Sequence, residues 1–170
     1  MAYLDDLLYD KENDFYYIDN YSPYSHGQQS SFSRNILRLK QQEPDAITFF
    51  YDLLSDIIEP DDNVVCVPSS REYQVSSFTY LVQGLLDEDH DFTTLLMRTS
   101  TIDKLAYGGK RDYDVHINSI QMNPDYNYIP DSVILLDDVS TSGNSLRACE
   151  DILYEAGVQN IIKLVLGKTA

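Results

Sequence analysis

Apolar residues along the chain fall into two patterns, short continuous runs and helical spacing, with polar loops between them. Continuous runs predict strands buried on both faces, because a half-buried strand would alternate with polar positions. These runs lie at 64–67, 133–136 and 161–166, the last interrupted by one lysine, and a further short strand is predicted at 92–97. Three- and four-residue spacing predicts helices at 33–41, 44–58, 75–86 and 146–156. Repeated strand and helix units of this kind indicate a parallel sheet flanked by helices.

Two residues mark the ends of predicted helices. Pro44 can open the second helix at its first turn, where a missing backbone N–H costs nothing. Gly157 stands where a left-handed helix cap is wanted. Weaker patterns suggest a short strand or hairpin arm at 15–18 and either a strand or a helix at 116–122.

Residues 98–115 have no clear periodicity and hold three cations around a Gly-Gly pair, namely Lys104, Lys110 and Arg111. Loops of this length inside a compact domain are usually functional lids or else disordered. We interpret this one as a lid.

Length and charge limit the partners. The 170 residues fit one domain with one core. Twenty-eight acidic and 12 basic side chains leave a net charge of −16, which argues against nucleic acid as a partner, since backbone affinity comes largely from lysine and arginine. A small phosphorylated substrate fits if the few cations gather at its site or a divalent metal supplies charge.

Cysteine usage and hydropathy bear on the compartment. Cys66 and Cys149 match neither a disulfide framework nor a metal spacing, so we interpret both as small core residues in a reducing compartment. The N-terminus lacks the features of a signal peptide, and no window approaches the ~18–20 apolar residues of a membrane span. We expect a soluble, cytoplasmic protein with no membrane partner.

The stretch 133–145 joins a predicted buried strand to polar chemistry. Two carboxylates, Asp137 and Asp138, follow the four apolar residues, and a hydroxyl-rich loop around one glycine precedes the last predicted helix. This loop comprises Ser140, Thr141, Ser142, Gly143, Asn144 and Ser145. A strand, a loop and a helix N-terminus in succession favour a bound phosphate through backbone N–H groups and the helix dipole. The carboxylates can accept hydrogen bonds from vicinal hydroxyls of the same sugar.

Cations elsewhere are few, so their positions matter. Arg34, Arg38 and Lys40 lie within seven residues of the first predicted helix. They form either a solvated face that pairs with acidic neighbours or a cationic wall for an anionic substrate. A second predicted strand runs into a short hydroxyl loop with an arginine, residues 68–71.

These residues resemble a known family. The stretch 133–145 is similar to the phosphoribosyl pyrophosphate signature of type I phosphoribosyltransferases, with an apolar strand, two acids, an apolar residue and a Thr/Ser-rich loop containing one glycine. From about residue 16 to residue 169 the layout resembles the ComF-like branch, through VCVPSSR, KLAYGGKR and LVLGKT. The alternative is a strand-to-helix turn whose serines merely cap a helix.

The resemblance implies an α/β fold, a Rossmann-like parallel sheet of about five strands flanked by helices. It also implies a single domain with a small N-terminal hood at 1–42 and a core at 43–170. In such a domain Asp137 and Asp138 would hold the ribose hydroxyls, directly or through the shell of a bound Mg²⁺. The loop from Ser140 to Ser145 would wrap the 5′-phosphate.

The same resemblance assigns the pyrophosphate. Ser69, Ser70 and Arg71 would bind it, and the lid cations Lys104, Lys110 and Arg111 would close over it. The implied activity is a Mg²⁺-dependent transfer of phosphoribose from phosphoribosyl pyrophosphate to a nitrogen nucleophile, a base or an amine, with release of pyrophosphate. Either carboxylate of the pair is also a candidate general base.

Two other functions stay open at this point. One is a catalytically silent protein that binds phosphoribosyl pyrophosphate or a nucleotide and regulates partner proteins. The other, from family analogy alone, is an accessory role in competence or DNA processing, which the net charge of −16 opposes. The sequence does not identify the acceptor, and it leaves a homodimer open.

Overall fold

Seven strands and five helices form the part of the chain that the computed structural model describes, residues 4–23, 29–102 and 113–169. The strands are β1 (Leu8–Asp10), β2 (Phe15–Tyr21), β3 (Val64–Cys66), β4 (Leu96–Arg98), β5 (Ile120–Met122), β6 (Ser132–Ser140) and β7 (Asn160–Thr169). The helices are α1 (Ser31–Lys40), α2 (Pro44–Ser55), α3 (Ser77–Gln83), α4 (Tyr113–Ile117) and α5 (Asn144–Glu155). None of the helices in these ranges is long and apolar enough to cross a membrane.

Five of the strands form one mostly parallel sheet in the order β1-β2-β7-β6-β3. Strands β2, β7, β6 and β3 run parallel, and β1 pairs antiparallel with β2 in a hairpin. The prediction of an α/β fold with a parallel sheet flanked by helices is therefore confirmed, and the architecture is compatible with a Rossmann-like fold. The segment before residue 22 supplies β1 and β2 to this sheet.

Strand β6 is covered on both faces, as its apolar run predicts. Ile134 and Leu136 pack in one cluster with residues of α1, α2 and α3. Val133 and Leu135 pack in a second cluster with residues of α5. All four are buried, which stabilises the fold by about 1.5–3 kcal/mol for each large side chain.

Local signals explain most helix ends. Ser30 caps α1 by accepting from the Ser33 N–H, and Pro44 occupies the first turn of α2, as predicted. Gly157 has φ of 105°, the left-handed conformation expected after α5. Both cysteines are buried and free, as expected of core residues.

The prediction for 92–97 was only partly right. Here the strand β4 covers Leu96–Arg98 and pairs antiparallel with β5 in a separate two-stranded sheet. Asp91 bridges to Val64 and the Thr93 carbonyl accepts from the Cys66 N–H, so the chain follows the edge of β3 only as far as Thr93. Asp91 also accepts hydrogen bonds from the N–H and hydroxyl of Thr93, which turns the chain away there. The helix predicted at 75–86 shortens to α3, capped by Ser76 and ended at Gly84.

Gly167 of β7 lies where two elements meet, and we predict that Gly167→Ala destabilises the fold. An added Cβ would lie 2.8 Å from Ile36 Cδ1 and 2.9 Å from Tyr21 Cβ. The Tyr21 Cβ cannot move without its backbone, so the expected cost is about 1–3 kcal/mol in free energy of unfolding, measured by urea titration. The control is Gly84→Ala, at a helix end with φ of −66°, where the added Cβ would lie 3.3 Å from the Leu81 carbonyl oxygen and 3.5 Å from the Tyr51 ring, so its cost should be smaller. Equal stability of the two variants would contradict this packing.

Candidate active site

We call the space beyond the carboxyl ends of the paired strands β3 and β6 the crevice. After β3 the chain passes to α3 on one face of the sheet, and after β6 it passes to α5 on the other face. In open α/β sheets, ligands bind where neighbouring strands part in this way. The two sides of the crevice are residues 68–71 and residues 137–143, both predicted from sequence as site segments. The Val67 N–H donates to the Leu136 carbonyl at 2.9 Å, so the two segments start side by side.

Strand β6 continues through both carboxylates and ends at Ser140, four residues beyond the predicted apolar run. Its pairing with β7 extends to Ser140 opposite Lys168. The parallel neighbour therefore holds the backbone of Asp137 and Asp138 in extended conformation. The carboxylates are part of a rigid strand, which a ligand site benefits from.

The carboxyl of Asp137 is the more enclosed of the pair. Burial raises the pKa of Asp137 to about 8, and the charge of Asp138 adds to the rise. The Asp138 N–H, which donates to Asp137 Oδ1 at 2.8 Å, and the charge of Lys40 limit the shift. Ser145 of α5 donates to Asp137 Oδ2 at 3.5 Å. Carboxyls with such perturbed pKa values cluster at functional sites.

Asp138 is held from the other side of the site. Lys40, the last residue of α1, places Nζ 3.2 Å from Asp138 Oδ2. Of the three cations predicted as a wall, only Lys40 reaches the carboxylates. Arg38 pairs with Glu43 at 2.6 Å, and Arg34 donates to the Gln29 carbonyl.

The turn between β6 and α5 is short, and several of its polar groups already bond within the protein. Ser140 Oγ accepts from the Gly143 N–H at 3.2 Å, and Thr141 donates to Thr169 at 3.0 Å. Gly143 is the N-cap of α5 with φ of 70°, and as a glycine it has no side chain with which to cap the helix. Ser142 is exposed. The turn therefore leads into the N-terminus of a 12-residue helix, a position that favours an anion.

Gly143 also has a reason for being glycine that involves no ligand. A Cβ there would lie 3.2 Å from Asn13 Cβ and 3.6 Å from a ring carbon of Phe15. The hairpin between β1 and β2 thus closes over the turn, a contact that the sequence did not predict.

Buried Asp10 fixes this hairpin. Asp10 Oδ2 accepts from Asn13 Nδ2 at 2.8 Å and lies 2.9 Å from Lys168 Nζ. Although burial raises the pKa of Asp10, these hydrogen bonds lower it to about 2. The hairpin is therefore tied to the last strand beside the turn.

A polar cavity of about 340 Å³ lies between the hairpin and α5. It is lined by three turn residues, two cations and four acids: Ser142, Gly143, Asn144, Arg147, Lys163, Glu12, Asp14, Glu150 and Asp151, together with Asn13. Lys163 is buried and ion-paired with Asp14 at 3.1 Å and Glu150 at 2.8 Å. The excess of carboxylates makes this cavity unfavourable for a phosphate.

The loop after β3 is anchored by a residue that sequence reasoning missed. Arg98, 3% exposed, donates to the Ser69 carbonyl at 2.9 Å and to Ser119 Oγ at 2.6 Å. The sequence signal for this residue was an arginine directly after the apolar residues 95–97. An arginine at the end of a buried strand needs hydrogen-bond partners, because a buried charge is costly without them. Arg71 itself is exposed.

The cations of the predicted lid lie in a segment outside the described residues. The Ile102 N–H donates to the Ser70 carbonyl at 2.9 Å, so residue 102, where this described range ends, lies against the loop at 69–71. Lys104, Lys110 and Arg111 lie outside the described residues.

The two carboxylates of the site suit Mg²⁺ when the substrate supplies most of the other ligands. No group of three or more His, Cys, Asp or Glu side chains is arranged for a metal ion within the described ranges. Protein sites for Mg²⁺ often use one or two carboxylates plus substrate phosphates and water. Asp137 and Asp138 fit that kind of site, with most ligands supplied by the substrate.

Comparison with known proteins adds no assignment, because no family model and no curated protein sequence matches the chain.

The pKa of Asp137 predicts how stability changes with pH in the ligand-free protein. Its folded value of about 8 exceeds the unfolded value of about 3.9, so ionised Asp137 destabilises the folded state. Relative to the parent, Asp137→Asn should be nearly neutral at pH 4 and should gain stability as pH rises to about 8, on the order of 1–3 kcal/mol. Urea unfolding at several pH values in a chelator measures this difference. The control is Asp125→Asn, which removes an exposed carboxylate. A pH-independent difference for Asp137→Asn would contradict the enclosed carboxyl.

Proposed function

We propose that the chain binds phosphoribosyl pyrophosphate at the carboxyl ends of β3 and β6 and transfers its phosphoribose to a nitrogen nucleophile, a base or an amine. The observation that carries the proposal is the order of groups at the end of β6. Two carboxylates are followed by a turn with Gly143 at φ of 70° and then by the N-terminus of α5. The resemblance of 133–145 to the phosphoribosyltransferase signature supports the same reading.

Each part of a phosphorylated sugar has a counterpart in the crevice. Helix N-termini bind phosphate through N–H groups that have no intrahelical partner, so the 5′-phosphate belongs at the start of α5. Asp137 and Asp138 are acceptors for the two ribose hydroxyls. The loop at 69–71, which starts beside Asp137, is then on the side of the pyrophosphate.

The crevice offers groups that can stabilise the charges that develop during the reaction. Cleavage at the anomeric carbon develops positive character on the sugar and negative charge on the departing pyrophosphate. Groups fixed before the reaction stabilise such charges best, and removing one donor typically costs about 2.7–4 kcal/mol. Bound Mg²⁺ would neutralise charge on the pyrophosphate. Arg98 keeps the loop at 69–71 in position by holding its carbonyls.

The second candidate is a regulatory protein that binds the same ligand without turnover, and the ligand-free site is compatible with it. Asp138 is already paired with Lys40, and the hydroxyls of Ser140 and Thr141 already bond within the protein. A site whose polar groups are satisfied without substrate suits ligand sensing as well as turnover. Release of pyrophosphate separates the two candidates.

Calorimetric titration with phosphoribosyl pyrophosphate and Mg²⁺ tests the binding site, followed by a pyrophosphate-release assay with bases, amines and ammonia. The parent should bind and release pyrophosphate with at least one acceptor. The double variant Asp137→Asn/Asp138→Asn should lose binding while staying folded. Binding without release under any acceptor would leave the regulatory protein, and no binding by the parent would contradict both.

Gly143→Ala gives a more local test of the turn. The substitution strains a left-handed residue and presses on Asn13, so binding should weaken by roughly tenfold or more, which is about 1.4 kcal/mol. The control is Gly157→Ala, which also strains a left-handed residue but meets no atom within 4 Å. Equal affinities for the two variants would contradict a phosphate at the turn.

A further inference from the structure

Lys40 stands at the site without having been assigned to it. Its ammonium lies 3.2 Å from Asp138 Oδ2, and the side chain is 46% exposed, whereas that of Asp138 is 26% exposed. Burial lowers the pKa of Lys40, but the charges of Asp138 and Asp137 raise it by more. The residue therefore carries a full positive charge at neutral pH, beside both carboxylates.

The ammonium has bonding capacity beyond Asp138. A lysine has three N–H donors and no acceptor. One donor satisfies the contact with Asp138, and the side chain is 46% exposed, so a ligand can reach the ammonium. Lys40 can therefore hold a carboxylate and an anionic oxygen at the same time.

Charge balance favours such a contact for a phosphorylated ligand. The chain has a net charge of −16, and two carboxylates occupy the edge of the crevice. A polyanion placed there meets repulsion that falls only when a nearby cation offsets it. Among the described residues of α1, Arg34 and Arg38 contact other groups, which leaves Lys40 as the cation of that helix at the carboxylates.

We propose that Lys40 is a ligand-binding residue that holds the Asp138 carboxylate and, simultaneously, a phosphate oxygen of the sugar ligand. This inference rests on the proposed function. It assigns α1 a direct part in the site and makes binding of the phosphorylated sugar less dependent on Mg²⁺. Phosphate esters with several charges gain most from this arrangement, and the uncharged sugar gains nothing.

Three variants test the proposal by calorimetry with phosphoribosyl pyrophosphate, in a chelator and then with Mg²⁺. Lys40→Met should weaken binding by roughly tenfold or more in the chelator and by less when Mg²⁺ is present. Lys40→Arg should stay within roughly threefold of the parent, since a guanidinium also bridges two anions. The control is Arg34→Gln, which removes the same charge from an exposed position of the same helix. This variant should leave the affinity unchanged.

The outcomes separate this inference from the function on which it rests. If the parent binds and Lys40→Met binds equally well or more tightly, Lys40 is a bystander or a competitor for Asp138, and only this inference fails. If the parent does not bind in either condition, both fail. Thermal unfolding of each variant confirms that affinities are compared between folded proteins, and ribose as a probe should show no difference between Lys40→Met and the parent.

Discussion

Strand β6 reaches solvent only at its two ends, and that constraint shapes the site. Hydrogen bonds to β3 and β7 occupy both of its edges, and helices cover both of its faces. Polar residues along most of the strand would be buried without partners, at a cost of several kcal/mol for a charge. Its acids therefore stand at the carboxyl end, where Asp137 and Asp138 meet the crevice.

Two adjacent carboxylates at that end repel each other, and the protein resolves the repulsion unequally. Asp138 Oδ2 lies 3.2 Å from the ammonium of Lys40, whereas burial raises the pKa of Asp137 to about 8. An ion pair thus offsets the charge of one acid, while burial opposes the charge of the other. The charge repulsion that destabilises the ligand-free protein is relieved when a ligand donates hydroxyl hydrogen bonds to these carboxyl groups.

The sequence predicted the parts of the fold that depend on local pattern. The apolar run at 133–136 identified the buried strand β6, Pro44 the start of α2, and Gly157 the left-handed end of α5. Long-range contacts could not be predicted. The pairing of β2 with β7, the closure of Asn13 over Gly143 and the separate pairing of β4 with β5 all join segments far apart in sequence. No periodicity encodes them.

The candidate site shows the same division. The stretch 133–145 located the carboxylates and the turn, because all of its groups are consecutive in the chain. Lys40 was one of three equivalent cations in sequence, and only the direction of α1 relative to β6 distinguishes it from Arg34 and Arg38. Arg98 was hidden because its partners are backbone carbonyls, which every residue possesses.

Amide chemical shifts during titration with phosphoribosyl pyrophosphate and Mg²⁺ test the central claim most directly. A ligand whose phosphate sits on the N-terminus of α5 should shift the amides of residues 141–146 most, with smaller changes at 137–138 and 69–71. Shifts confined to other parts of the sheet, or no shifts at saturating ligand, would contradict a phosphosugar site at the end of β6.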